Sequence, residues 1–177
     1  MILYHGTTAN FDNFSFDFMG TNGRAEGIGL YFTDSKEVAS TYADNGRIFT
    51  VNMIGKKPLS GDKITLSKEE VEKLVMEMHK RRNILADFGD IDFEGFESVL
   101  RDCIESLLED SNDDVEIMSQ ISNVSGSYKD VLDVVYNILG YDYAITKATW
   151  GYNLGQKNIY TIFTTNAIEV VDIENNF

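Results

Sequence analysis

Residues 27–43 read GIGLYFTDSKEVASTYA, and the reading of this stretch decides the fold. Gly27 and Gly29 end a loop, residues 20–29, that holds four glycines. GLYFT then reads as a strand. Asp34 follows as a candidate helix N-cap, and Glu37 three residues on completes a capping-box-like pattern. The helix runs to about Ala43. Tyr31 and Tyr42 stand eleven positions apart. At a rise of ~1.5 Å per residue, Tyr42 lies about two turns into the helix. A helix packed back along its own strand brings the two phenols together, and rings ~7 Å apart can sandwich a flat ligand. The other reading is a pair of core tyrosines, although Leu or Val would serve a core at both places.

Upstream, MILYH at 1–5 reads as a short buried strand ending on His5. Gly6 after it leaves its backbone N–H and C=O open to a ligand. An amide group pairs with such a peptide unit while the imidazole reaches a sugar hydroxyl. The alternative is a half-buried histidine satisfied by a carbonyl. Phe11, Phe14, Phe16 and Phe18 suit a strand or an extended loop packed on the core. Downstream, Asp44-Asn45-Gly46 is a turn, RIFTVNMI is a strand, and Pro58, the single proline, lies in a loop.

The middle of the chain changes character. Ser67-x-x-Glu70 is a capping box ahead of Val71, Leu74, Val75 and Met78 at helical spacing. Phe93, Phe96, Leu100, Cys103 and Leu107 mark a second helix, and residues 113–122 a short third. Val131, Val134, Val135 and Ile138 mark a fourth, with Gly140 placed to cap it. His79, beside Lys80 and Arg81, reads as a surface residue. Strands return at 141–146, 158–163 and 167–173, with a loop at 147–156 that carries Trp150 and Tyr152. That loop either contacts a partner or packs as a lid on the sheet edge. Strands, then helices, then strands predict an α+β fold with a split, mostly antiparallel sheet. The chain reads as a single domain over 1–177, with a helical insertion at about 66–139 packed on the sheet.

The chain has 177 residues and a net charge of −14. Such a charge repels phosphate backbones and favours basic partners, so nucleic acid is an unlikely partner. Over residues 87–118 there are twelve Asp and Glu against one basic residue, Arg101. This is a solvated helical face, a docking surface for a basic protein, or a mimic of nucleic-acid charge. No apolar run approaches the ~18–20 residues of a membrane span, and no membrane partner is expected. The N-terminal residues lack the pattern of a signal peptide. With one cysteine, Cys103, and two histidines, no disulfide and no metal site is expected, and the default location is the cytoplasm.

Together, His5-Gly6-Thr7, Gly29-Leu30-Tyr31-Phe32-Thr33 and Tyr42 resemble the ADP-ribosyltransferase fold of the diphtheria-toxin and poly(ADP-ribose) polymerase kind. The pattern looks closest to compact phage and prophage transferases, including domains of polyvalent proteins and the ADP-ribosyltransferase type of anti-CRISPR. They share an LYHGT start, a GIGLYFT-like strand, an A-x-x-YA helix end, a late GYD-like strand and a final Y-x-x-F strand. The likeness covers about residues 2–54 and 139–173 and leaves the helical block without a counterpart.

The resemblance implies NAD as substrate and a protein, with a basic surface, as acceptor of a single ADP-ribose. It implies that His5 binds the nicotinamide-side ribose, that Gly6 pairs with the carboxamide, and that Tyr31 and Tyr42 stack on the nicotinamide. Thr7 would sit near the adenosine half, with Gly29 and Phe32 completing the cofactor-binding set. A serine that often holds the carboxamide falls on Ala39 here, and Ser40 beside it points elsewhere. Ile159 takes the place of the polymerases' glutamate, as in members that transfer one ADP-ribose. The missing charge would come from the acceptor's own carboxylate or from Asp142, Gln156 or Glu169, and a register shift of one or two residues would put Asn158 or Gln156 at the place of Ile159. The competing reading is a protein that keeps the NAD pocket, turns over weakly or not at all, and inhibits by contact through its acidic helices.

Overall fold

The computed structural model describes residues 1–18, 28–150 and 154–175. Its strands are β1 (Ile2–Thr7), β2 (Leu30–Thr33), β3 (Arg47–Met53), β4 (Pro58–Ser60), β5 (Tyr143–Trp150), β6 (Gly155–Ile162) and β7 (Ile168–Asn175). Its α-helices are α1 (Lys36–Ala43), α2 (Lys68–Arg82), α3 (Ile91–Glu94), α4 (Phe96–Asp110), α5 (Asp114–Ser125) and α6 (Tyr128–Asn137). Seven strands form one sheet in the order β4-β5-β6-β2-β1-β3-β7. All pairs are antiparallel except β4 with β5. The α+β, mostly antiparallel expectation holds. The split also has a location: β1 meets β2 at one pair, Tyr4 with Thr33, whereas β1 meets β3 over six.

Cross-strand partners share a face. The register therefore puts Tyr4, Thr33, Tyr31, Ile159, Thr161, Ala144 and Leu59 on one face. At one side of this face Tyr4 packs with Ala39 and Ala43 of α1. At the other, Leu59, Ala144 and Phe163 join the apolar stripes of α2, α4, α5 and α6 in one core. Strands β2 and β6 run between α1 and the helical block. The opposite face carries a second core of Leu3, Phe32, Phe49, Val51, Tyr143, Tyr160 and Ile162, with Phe11 and Phe14 packed against it.

Several local expectations change. The N-cap of α1 is Ser35, whose side chain accepts from the Val38 amide, so the cap lies one residue beyond Asp34. Pro58 opens strand β4 and is not in a loop; its lack of an N–H is tolerated at a strand's first residue. The 147–156 stretch is mostly hairpin, paired as far as Trp150 with Gly155; Tyr152 and the Trp150 side chain lie outside the described residues. Phe16–Phe18 is a 3-10 turn, not a strand. The helix expected to include Phe93 breaks at Gly95, which leaves Phe93 on the short α3 and 88% exposed. His79 is half-buried rather than at the surface: its Nδ1 accepts from the Leu85 amide at 3.3 Å, and its ring tilts against Phe96 at 5.7 Å. The Ser67–Glu70 capping box forms as read.

Asp114 fastens the block to the sheet. It is fully buried, and its carboxylate accepts from the amides of Ser60, Thr65 and Leu66 at 2.7–2.9 Å, and from the Thr65 hydroxyl. Four donors, three backbone amides and the Thr65 hydroxyl, lose their acceptor in Asp114→Ala. Urea unfolding is expected to show a loss of roughly 3–5 kcal/mol, the scale for stranding buried partners of a charged group. A loss under about 1 kcal/mol contradicts this role.

Candidate functional site

The opening between β1 and β2 follows from hydrogen-bond arithmetic. Met1 exchanges backbone bonds with Met53, the Met53 amide reaching the Met1 carbonyl at 2.7 Å. Bonded and non-bonded pairs alternate along an antiparallel ladder. Leu3, His5 and Thr7 thus bond to β3, while the N–H and C=O of Tyr4 and Gly6 point toward β2. Tyr4 finds Thr33 there. Continued two residues, the ladder would set Gly6 against Tyr31, but that pair does not close. The Tyr31 carbonyl instead accepts from His5 Nδ1 at 2.7 Å. A side chain has entered where a ladder bond would stand, and the Gly6 peptide edge faces the opening.

This bond fixes the state of His5. A carbonyl only accepts, so Nδ1 carries the proton and Nε2 presents a lone pair. Among the described residues Nε2 meets no partner, and it is not a buried, unsatisfied atom. Burial lowers the His5 pKa from its ordinary value, with the Tyr31 carbonyl opposing in part, so the ring is neutral at pH 7. The imidazole lies on the sheet face away from α1, among Phe14, Phe32, Phe49 and Phe11 at 5.2–6.3 Å between centroids.

Gly6 also admits α1. A Cβ on it would lie 1.7 Å from the Ala39 carbonyl oxygen and 3.1 Å from the Ala43 nitrogen. Only a bare backbone lets the helix sit this low. Helix α1 is then oriented by its flanks. Lys36 reaches Glu174 on β7 at 2.6 Å, so that flank faces the β3–β7 edge. Successive residues turn by ~100°, which sets Tyr42 about 120° from Lys36 around the helix, between Val38 and Ala39. Tyr42 is 53% exposed, and Tyr31 lies on the same sheet face at the start of β2. Gly6 and Tyr31 therefore share one sheet face at the gap between β1 and β2, and His5 bridges that gap from the opposite face.

Other expected site residues fall into supporting places. Thr7 is buried, and its Oγ1 accepts from the Ala9 amide at 3.1 Å, which turns the chain out of β1. Gly29, just before β2, has φ +152, and a Cβ there would meet Thr161 Cγ2 at 2.5 Å and the Ile162 carbonyl oxygen at 2.8 Å, so the chain enters β2 through a position suited to glycine. Phe32, expected on the cofactor, is buried on the face opposite Tyr31 and backs the imidazole; this corrects its direct role. Ala39 is buried with its carbonyl on Gly6. Ile159 is 4% exposed and pairs with Thr33, two residues along the same face from Tyr31.

The carboxylate and amide stand-ins have partners or cross-strand neighbours of their own. Asp142 accepts from the amides of Lys56 and Lys57 at 2.7 and 2.9 Å. Glu169 pairs with Asn52 on the far edge strand. Asn158 donates to Asp34 at 2.9 Å, and Gln156 sits opposite Thr149 near the hairpin end. Glu37, read in the sequence only as part of a helix cap, is linked to the residue that pairs with Ile159: it accepts from Ser35 Oγ at 2.8 Å, and the Ser35 amide donates to Thr33 Oγ1. Its pKa is lowered by its own backbone amide and by Ser35. Among the described residues no cluster of metal-ligating side chains occurs, and no helix is long and apolar enough to cross a membrane.

Comparison with known families gives one result: the family described as ADP-Ribosyltransferase in polyvalent proteins matches residues 1–176. No curated protein and no solved structure matches the chain.

Proposed function

Because the chain belongs to the family of ADP-ribosyltransferases in polyvalent proteins, we propose that it is an NAD-dependent mono-ADP-ribosyltransferase that modifies a protein, with the β1–β2 opening as its nicotinamide site. The observation that carries this reading is the unclosed Gly6–Tyr31 pair bridged by His5. A carboxamide offers one acceptor and one donor edge, which matches the N–H and C=O that Gly6 turns to the opening. Tyr31 and, from α1, Tyr42 would supply two aromatic faces for the pyridinium ring. His5 Nε2 is an acceptor for a ribose hydroxyl.

The residues present suit cleavage of the bond between nicotinamide and the anomeric carbon. The bonding pair leaves with nicotinamide, positive charge grows on the ribose, and an acceptor nucleophile closes on it and gives up its proton. Gly6 and the tyrosines hold the leaving group still, and positioning of this kind can lower a barrier by ~7–11 kcal/mol. Ile159 offers no charge to the developing cation, so chain elongation is not expected. The acceptor is a protein, favoured over nucleic acid by the net charge of −14. Membership among polyvalent proteins suits a phage-encoded enzyme working on a host defence component in the host cytosol.

NAD labelled in its adenylate half, incubated with the protein and a lysate, tests this. Label on a discrete protein band, lost in Tyr31→Ala, is expected. NAD binding without label transfer or nicotinamide release favours the second reading, an inhibitor acting by contact; the buried Ile159 is the observation behind it.

The pH profile has a definite sign. Because the His5 pKa is lowered in the folded state, neutral His5 contributes stability that is present above the ordinary value of about 6.5 and is lost as pH falls through the lowered value. Nicotinamide release is expected to stay level from pH 8 to about 6.5 and to fall only below it. A fall centred above about 7 contradicts a buried neutral imidazole.

A further inference from the structure

The segment between β1 and the 3-10 turn is built around His5. Phe14 meets the imidazole edge-on at 5.2 Å and 85°, and Phe11 lies 6.3 Å away. Phe11 also stacks on Phe49 at 4.8 Å and 14°, and Phe14 contacts Phe32 and Phe49 at about 5 Å. Both rings remain half-buried. The segment is tied down at two places. Thr7 Oγ1 takes the Ala9 amide, and Arg47, the cross-strand partner of Thr7, donates from Nη1 to the Phe11 carbonyl at 2.8 Å and to Asp12 at 3.0 Å. A strap fastened by an arginine and carrying two phenylalanines onto one histidine is more than the sheet needs for a core, since Phe32 and Phe49 already pack there.

We propose that Phe14 and Phe11, anchored through Arg47, are positioning residues that hold the His5 imidazole across the β1–β2 opening. This rests on the assignment of that opening as the NAD site. Four rings enclose the imidazole on the face away from α1, and the Tyr31 carbonyl meets it at the gap. From β2 it faces a phenylalanine and a backbone carbonyl, and from β3 a phenylalanine. The strap's charges, Arg47 and Asp12, are paired with each other, and no charged group contributes to the His5 shift. Burial, to which the strap contributes two of the four enclosing rings, lowers the His5 pKa and favours the neutral form. A neutral ring held in one orientation keeps Nε2 as an acceptor.

The test uses the full chain, with imidazole titration by NMR and initial rates of nicotinamide release. The two histidines are told apart with His79→Gln. Phe14→Ala is expected to raise the His5 midpoint toward its ordinary value. It should lower kcat roughly ten- to a hundredfold, the scale of an ångström's misplacement, with KM changed less than about threefold. Phe14→Leu, which refills the space, should recover most of both. Arg47→Met, which keeps both phenylalanines in the sequence but cuts the tether that places them, should move both in the direction of Phe14→Ala. An unmoved His5 midpoint together with an unchanged kcat in Phe14→Ala overturns the proposal. If the wild type releases no nicotinamide, the catalytic reading fails separately, and the titration still decides: a raised midpoint supports positioning by the strap, an unmoved one refutes it.

Discussion

Gly6→Ala is expected to lose more than about 4 kcal/mol of stability, the range reached when a buried substitution leaves no room to relax. The new methyl would stand 1.7 Å from the Ala39 oxygen and 2.7 Å from its carbonyl carbon. Both are backbone atoms of α1, so no side-chain rotation relieves the clash. The helix must lift. That uncovers Ala39, Ala43 and Ile48, against which Tyr4 packs, and displaces Tyr42 with the helix. Gly126→Ala is the control. Its φ of +66 disfavours a side chain, but nothing lies within 4 Å of the added carbon, and it should cost only about 1 kcal/mol. Chemical denaturation of the two variants side by side separates a clash from a general cost of replacing glycine. Near-equal losses would contradict the close approach of α1 to β1.

His5→Ala is expected to lower the rate of nicotinamide release by roughly 10²–10³, the effect of removing one preorganised polar contact at a reacting centre. The protein should remain folded, because β1 keeps its six-position pairing with β3 without the imidazole. Thermal unfolding of the variant checks this directly. A cooperative transition with lost turnover assigns the effect to the site. A folded variant with full turnover removes His5 from the mechanism.

The parts of the fold legible in the sequence were those set by short-range chemistry. GLYFT carries β2, and the Ser67–Glu70 capping box begins α2 because each partner lies within one turn of the other. The family resemblance carried by His5-Gly6-Thr7, GLYFT and Tyr42 was legible as a pattern of residue types, and the family match over residues 1–176 agrees with it. Less visible was anything decided by a distant partner. Asp34 and Ser35 are both good caps; Ser35 takes the role while its amide is held by Thr33 Oγ1, on a residue paired to β6. The polar 147–156 stretch becomes a hairpin because β5 and β6 pair through it, against the turn signals of its glycines. Phe93 fits a helical stripe by spacing, yet the break at Gly95 turns it to solvent. The role of Asp114 depends on three amides 48–54 residues upstream, and the strap around His5 on an arginine beyond β2 and α1. Neither has a local signature.

A structure of the wild-type protein soaked with NAD tests the central claim most directly. The account predicts the nicotinamide ring between Tyr31 and Tyr42, its carboxamide on the Gly6 backbone and a ribose hydroxyl within hydrogen-bond reach of His5 Nε2. Nicotinamide bound anywhere else, with the Gly6–Tyr31 opening empty, would contradict it.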